Sequence, residues 1–144
     1  MDAKDARANL IKYMAGKYKV DLTNEDVFRF SVLGPFGVPM NQMKQYIESN
    51  ESQRKDMNQQ TQGLPIDTTK VDELADWVHF GLIAALDDYN AKKSAGQNVK
   101  PPRFAIKADG RAKYKVVKQV IDICQKQNVQ HFDLITSLKV KEQE

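Results

Sequence analysis

Cysteine is almost absent: the 144-residue chain has one, Cys124. No intrachain disulfide can form, and a structural zinc site would have to do without its usual thiolates. The two histidines, His79 and His131, lie far apart in sequence, so no metal site is expected. Long hydrophobic runs are missing too. The longest, Phe80 to Leu86, falls well short of the roughly 20 residues a bilayer-spanning helix needs. The start, Met1 to Asp5, is too polar for a signal peptide. These absences predict either a cytosolic protein or the soluble part of a longer, anchored one. There is no glycine-rich phosphate loop and no Gly-x-Ser-x-Gly elbow. No cofactor is expected, and the chain reads as an interaction domain rather than an enzyme.

Hydrophobic residues make up 41% of the chain and charged residues 28%. These proportions, at this length, predict one α+β domain over 1–144 with a core that needs no disulfide or metal. The formal net charge of +3 is a weak basic excess. It suits a mildly basic surface near an anionic membrane and falls short of the concentrated charge of most nucleic-acid domains.

The first third of the chain is the hardest to read. Leu10 to Met14 fits a strand or a short helix. Tyr18 to Leu22 and Val27 to Val32 alternate polar and apolar residues around the turn-like Thr23-Asn24-Glu25-Asp26, which predicts a β-hairpin. Gly34 to Pro39 breaks regular structure. Met40, Met43 and Ile47 then step at helical spacing, predicting one helix over Met40 to Asp56. The polar composition of Glu48 to Gln62 makes its second half a mobile loop. Residues 35–63 read together as an insertion or mobile loop.

The main helix is predicted from Lys70 to Asn90, with Thr69 as N-cap and Pro65 upstream. Val71, Leu74, Ala75, Val78, Leu82, Ala85, Leu86 and Tyr89 lie on one side, and Trp77 and Phe80 widen the apolar face, so more than one neighbour should cover it. Pro101-Pro102 leads into a strand over Arg103 to Asp109, with Phe104, Ile106 and Ala108 on the inner face. A second helix runs from about Ala112 to Gln127. Val117, Val120, Ile121 and Cys124 form its inner stripe, with Tyr114 and Val116 beside it, and Asn128 stops it. Phe132 to Leu138 reads as the last strand, either internal or an edge. Strand, helix, strand predicts a right-handed crossover between parallel strands. The expected fold is a small sheet with both main helices on one face and the N-terminal strands extending it.

Few residues invite chemistry. Cys124 sits on an apolar stripe and reads as a buried small hydrophobe; His79 reads as a surface residue. Asp109 and Asp133, near strand ends, would suit a hydrolase only if they converged. Arg103, Lys107, Arg111, Lys113, Lys115 and Lys118 form a basic cluster without interleaved aromatics. It reads as a solvated face, or alternatively as the phosphate-contacting surface of a cytosolic nucleic-acid-binding module.

Two segments resemble the extracytoplasmic domain of the ExbD/TolR biopolymer-transport family. One is Leu64-Pro65-Ile66-Asp67 followed by Asp72-Glu73-Leu74-Ala75-Asp76-Trp77-Val78. The other is Phe104-Ala105-Ile106-Lys107-Ala108-Asp109, then Tyr114, Val117, Val120-Ile121-Asp122 and Phe132-Asp133-Leu134-Ile135-Thr136. Together they span about half the chain; Ala6 to Gly63 match loosely. The resemblance implies a periplasmic domain on the inner membrane, with an anchor outside this chain. The functional aspartate of the family's transmembrane helix has no counterpart here, so proton coupling is not expected in this chain. The implied role is protein transport: a homodimer working with an ExbB-like motor subunit that draws on the proton motive force, and holding a TonB-like protein by strand addition. Nucleic acid is not among the implied partners. Phe132, Asp133, Leu134, Ile135, Thr136 and Ser137 become the candidate edge, with Phe132, Leu134 and Leu138 toward the core and Asp133, Ile135 and Ser137 facing away or meeting a partner, and Asp109 matches the family's strand-end aspartate. An exposed edge offers unpaired N–H and C=O groups to an incoming strand.

Overall fold

A computed structural model describes residues 4–60, 64, 73–127, 129 and 132–136. The fold is α+β, and its contacts divide the chain into two compact units, Met1–Lys100 and Pro101–Glu144, where the sequence reading expected one domain. Among the described residues the first unit is helical: α1 (Lys4–Tyr18), α2 (Asn24–Val32), α3 (Met40–Glu48), α4 (Glu51–Gln60) and α5 (Glu73–Ser94). The second is β1 (Phe104–Ala108), α6 (Tyr114–Lys126) and β2 (Phe132–Thr136).

The expected N-terminal hairpin is overturned, and local chemistry explains why. Lys19 adopts a left-handed conformation (φ 55°) and the Val20 N–H bonds back to the Ala15 carbonyl at 3.0 Å, a reverse turn that stops α1. The turn-like Thr23-Asn24-Glu25-Asp26 is a helix start. The Thr23 hydroxyl accepts from the Asp26 amide at 3.1 Å, and the Asp26 carboxylate accepts from the Thr23 amide at 3.1 Å. This reciprocal capping box commits Val27 to Val32 to helix, and an Arg29–Glu25 pair at 2.7 Å supports it one turn apart. Phe30 is buried while Phe28 is 60% exposed, so the alternation separates two faces of a helix.

The helix predicted over Met40 to Asp56 is two helices. Ser49 is extended (φ −79°, ψ 161°). Asn50 then starts α4 with a second reciprocal box: its side-chain oxygen accepts from the Gln53 amide at 2.8 Å, and Gln53 Oε1 accepts from the Asn50 amide at 3.0 Å. The stretch expected to be a mobile loop is therefore helical from Glu51 to Gln60. It is tied down by Asn58, which accepts from the Gly37 amide at 3.0 Å and donates to the Tyr46 hydroxyl at 3.0 Å. Met40, Met43 and Ile47 are buried as their spacing predicts.

Helix α5 packs against α1. Lys17 and Tyr18 both reach Asp76, each at 2.6 Å, while Tyr13 stacks on Phe80 and donates to Asp87. Later residues of α1 meet earlier residues of α5, so the pair is antiparallel. The core holds Leu10, Ile11, Met14, Phe30, Val38, Met40, Met43, Ile47 and Trp77. Phe30, Phe36 and Trp77 form an aromatic cluster with centroids 4.7 to 6.1 Å apart, and the Arg7 guanidinium lies 5.1 Å over the Phe30 ring. Helix α5 thus contributes to the helical core. Of the alternating N-terminal segments expected to extend the sheet, Tyr18 to Leu22 is the end of α1 and the loop after it, and Val27 to Val32 lies in α2. Thr69, Pro65, Asn128 and Leu138 lie outside the described residues, as does the tail 139–144.

Candidate interaction site

Pro101-Pro102 cannot continue a helix and bias the chain toward extended backbone, and β1 follows. Its inner-face expectation holds: Ile106 is buried, Phe104 and Ala108 half-buried, and Ala105 and Lys107 exposed. Strand β2 pairs with it in parallel, Phe104 opposite Phe132 through Ala108 opposite Thr136. The strand–helix–strand order with parallel strands is as predicted, but the described sheet stops at two strands.

Asp109 closes the turn out of β1. Its carboxylate accepts from the Arg111 amide at 2.8 Å and its carbonyl from the Ala112 amide at 2.9 Å. Lys113 then serves as N-cap without a side-chain hydrogen bond, and α6 begins at Tyr114. Ile123 and Cys124 are its buried residues. Ile123 lies off the predicted stripe, and Val117, Val120 and Ile121 of that stripe are only half-buried, so burial concentrates in the last turns of α6. Tyr114 and Val116, expected beside the inner stripe, are 79% and 43% exposed. Burial pushes the Cys124 thiol up from its ordinary value, which disfavours the nucleophilic thiolate.

Asp133 and Asp109 are not brought together. Asp133 lies opposite Ala105, four residues from Asp109 along β1, or about 13 Å of strand. Asp133 instead pairs with Arg103 at 3.0 Å. The proposed acid/base pair has no shared site. No group of three or more His, Cys, Asp or Glu residues could hold a metal ion among the described residues. Nor is any described helix long and apolar enough to cross a membrane.

On β2, Phe132 is half-buried and Asp133 exposed. Leu134 and Ile135 are 48% and 49% exposed. Thr136 ends the strand opposite Ala108, and Ser137 lies outside the described residues. Leu134 shares a sheet face with Ile106, its register partner. The buried face on β1 therefore runs out at β2, against the expectation that Leu134 faces the core. Ile135 presents a second apolar side chain on the opposite face, beside Lys107.

Comparison of the chain with protein-family models, with curated proteins and with solved structures finds no match.

Proposed function

We propose that the Pro101–Glu144 unit is a strand-accepting interaction module, and that the chain is the extracytoplasmic domain of an ExbD/TolR-like subunit. It dimerises and takes an extended segment of a TonB-like protein at the β2 edge. One observation carries the reading. Strand β2 has apolar side chains half-exposed on both faces, a composition suited to the interior of a parallel sheet, which is normally covered on both sides. Two strands alone make a marginal sheet. A strand added beside β2 would pair its outer backbone groups and cover Leu134 and Ile135. The Asp109 turn sets where β1 ends and α6 begins, so its part is to position the edge. The motor subunit and its proton-carrying helix act outside this chain.

The test is a titration of the chain with a peptide from a TonB-like periplasmic linker, with the solution mass measured in parallel. Saturable binding that weakens at least tenfold in Ile135→Lys supports the reading, since that change keeps the backbone N–H and removes only the apolar cover. Ile135→Pro, checked for retained helicity, should abolish binding. A monomer that ignores every such peptide yet binds duplex DNA or RNA with steep salt dependence would overturn it in favour of a nucleic-acid-binding module.

A further inference from the structure

Six of the chain's 22 lysines and arginines fall between Arg103 and Lys118, with Asp109 the one acid among them. Two of the six are paired, Arg103 with Asp133 and Arg111 with Asp109. Lys107, Lys113, Lys115 and Lys118 make no ion pair among the described residues. Every residue from Arg111 to Val116 is exposed, so the corner where the turn enters α6 protrudes. At its tip stand Tyr114, 79% exposed, and Val116, 43% exposed. Lys113 and Lys115 flank Tyr114 directly, and Lys118 lies one helical turn on.

From this placement we infer that the α6 corner is a docking surface for anionic phospholipid headgroups at a bilayer surface. The charge complementarity is direct: the corner concentrates cations on a chain whose net charge is only +3. Lysines are compact, hydrated point charges suited to the diffuse charge of a lipid surface, whereas base or phosphate reading favours the planar fork of arginine. The exposed tyrosine adds a ring with an apolar body and a polar tip, the kind of side chain that partitions to the headgroup layer. Val116 has no stacking role toward a nucleic-acid base but gains by leaving water. The first turn of α6 adds the positive end of its dipole. None of these residues belongs to β2, so the inference stands apart from strand addition.

Co-sedimentation of the whole chain with vesicles of phosphatidylcholine alone, and of phosphatidylcholine mixed with phosphatidylglycerol, tests it. Binding is expected to the anionic vesicles only and to fall as salt rises. Replacing Lys113, Lys115 or Lys118 singly by Gln should weaken binding about fivefold each, and the triple variant by about a hundredfold. Tyr114→Ser should weaken it while leaving the salt dependence unchanged. These positions are exposed, and retained far-UV circular dichroism will show that α6 persists. Equal binding to both vesicle types, undiminished binding by the triple variant, or tighter binding to a DNA or RNA duplex than to anionic vesicles would each overturn the inference.

Discussion

Glu73 is the residue with most at stake in the helical core. It is 4% exposed, and its carboxylate accepts from the Met40 amide. Pro39 offers α3 no side-chain cap, so a residue of α5 serves as the cap of α3. Burial pushes the Glu73 carboxyl above its ordinary value of 4.5; the Met40 amide and the nearby Trp77 indole moderate the rise. The Trp77 N–H does so without reaching hydrogen-bond geometry. Because the folded-state pKa exceeds the unfolded one, protonation favours the fold. The contribution is complete below 4.5 and is lost as pH rises through the higher folded value. Glu73→Gln should keep the cap and remove that decline, seen as a flatter urea midpoint between acid and neutral pH. Glu73→Ala should cost about 1–2 kcal/mol in the same assay by stranding the Met40 amide. Asp26 works with the opposite sign. Its burial raises the pKa, but hydrogen bonds from Thr23 and Lys44 outweigh this and hold it below 3.8. Its stabilisation is present above 3.8 and lost as pH falls through the lower folded value. Cys124 is buried with a raised pKa, so a maleimide should label it slowly in the folded chain and rapidly in denaturant.

At the scale of the element, stops and starts outweigh periodicity in the N-terminal part. Lys19 holds a left-handed conformation that costs a side-chain-bearing residue about 1 kcal/mol. Lys19→Gly should therefore raise stability by a similar amount, read from the denaturant midpoint. Gly96 (φ 81°) ends α5, with the Gln97 amide bonding back to the Lys92 carbonyl at 3.0 Å; Gly96→Ala should cost about 1 kcal/mol. Asn50→Ala removes half of the box that starts α4. It should cost about 1 kcal/mol and raise amide exchange specifically between Glu51 and Gln60. The alternation at Tyr18–Leu22 and Val27–Val32 suggests strand because neither the Lys19 stop nor the Thr23 box is a matter of hydrophobic period. Their signals were nonetheless present: Thr-x-x-Asp and Asn-x-x-Gln each carry the spacing of a reciprocal cap.

For the whole molecule, the two units differ in what they can bury. The helical unit has an aromatic and aliphatic core drawn from four of its helices and the segments between them. Among its described residues the second unit has four buried hydrophobics, Ile106, Ile123, Cys124 and Val129, and a unit this short is marginal without a partner. Amide exchange in β1, α6 and β2 should be markedly faster than in α1, α3 and α5. A bound strand should slow it in the second unit alone. Protection of both units to the same level in the free chain would contradict this account.

Some of this was settled by the sequence alone. The single cysteine rules out an intrachain disulfide. The apolar spacing in α3 and the alternation in β1 marked elements whose period matches their burial, whereas α5 buries Glu73, Trp77, Val78 and Ala84 and leaves Leu86 of the predicted face exposed. The strand–helix–strand order implied parallel pairing, because a helical crossover returns the chain in the same direction. Tertiary structure alone decided which elements share a core. It packed α5 on α1 through the Asp76 contacts of Lys17 and Tyr18. It made Glu73 a cap for a helix 33 residues away in sequence, and it left Leu134 and Tyr114 in solvent. Hydrophobic pattern reports that a face is apolar; only the packing of distant segments determines whether anything covers it.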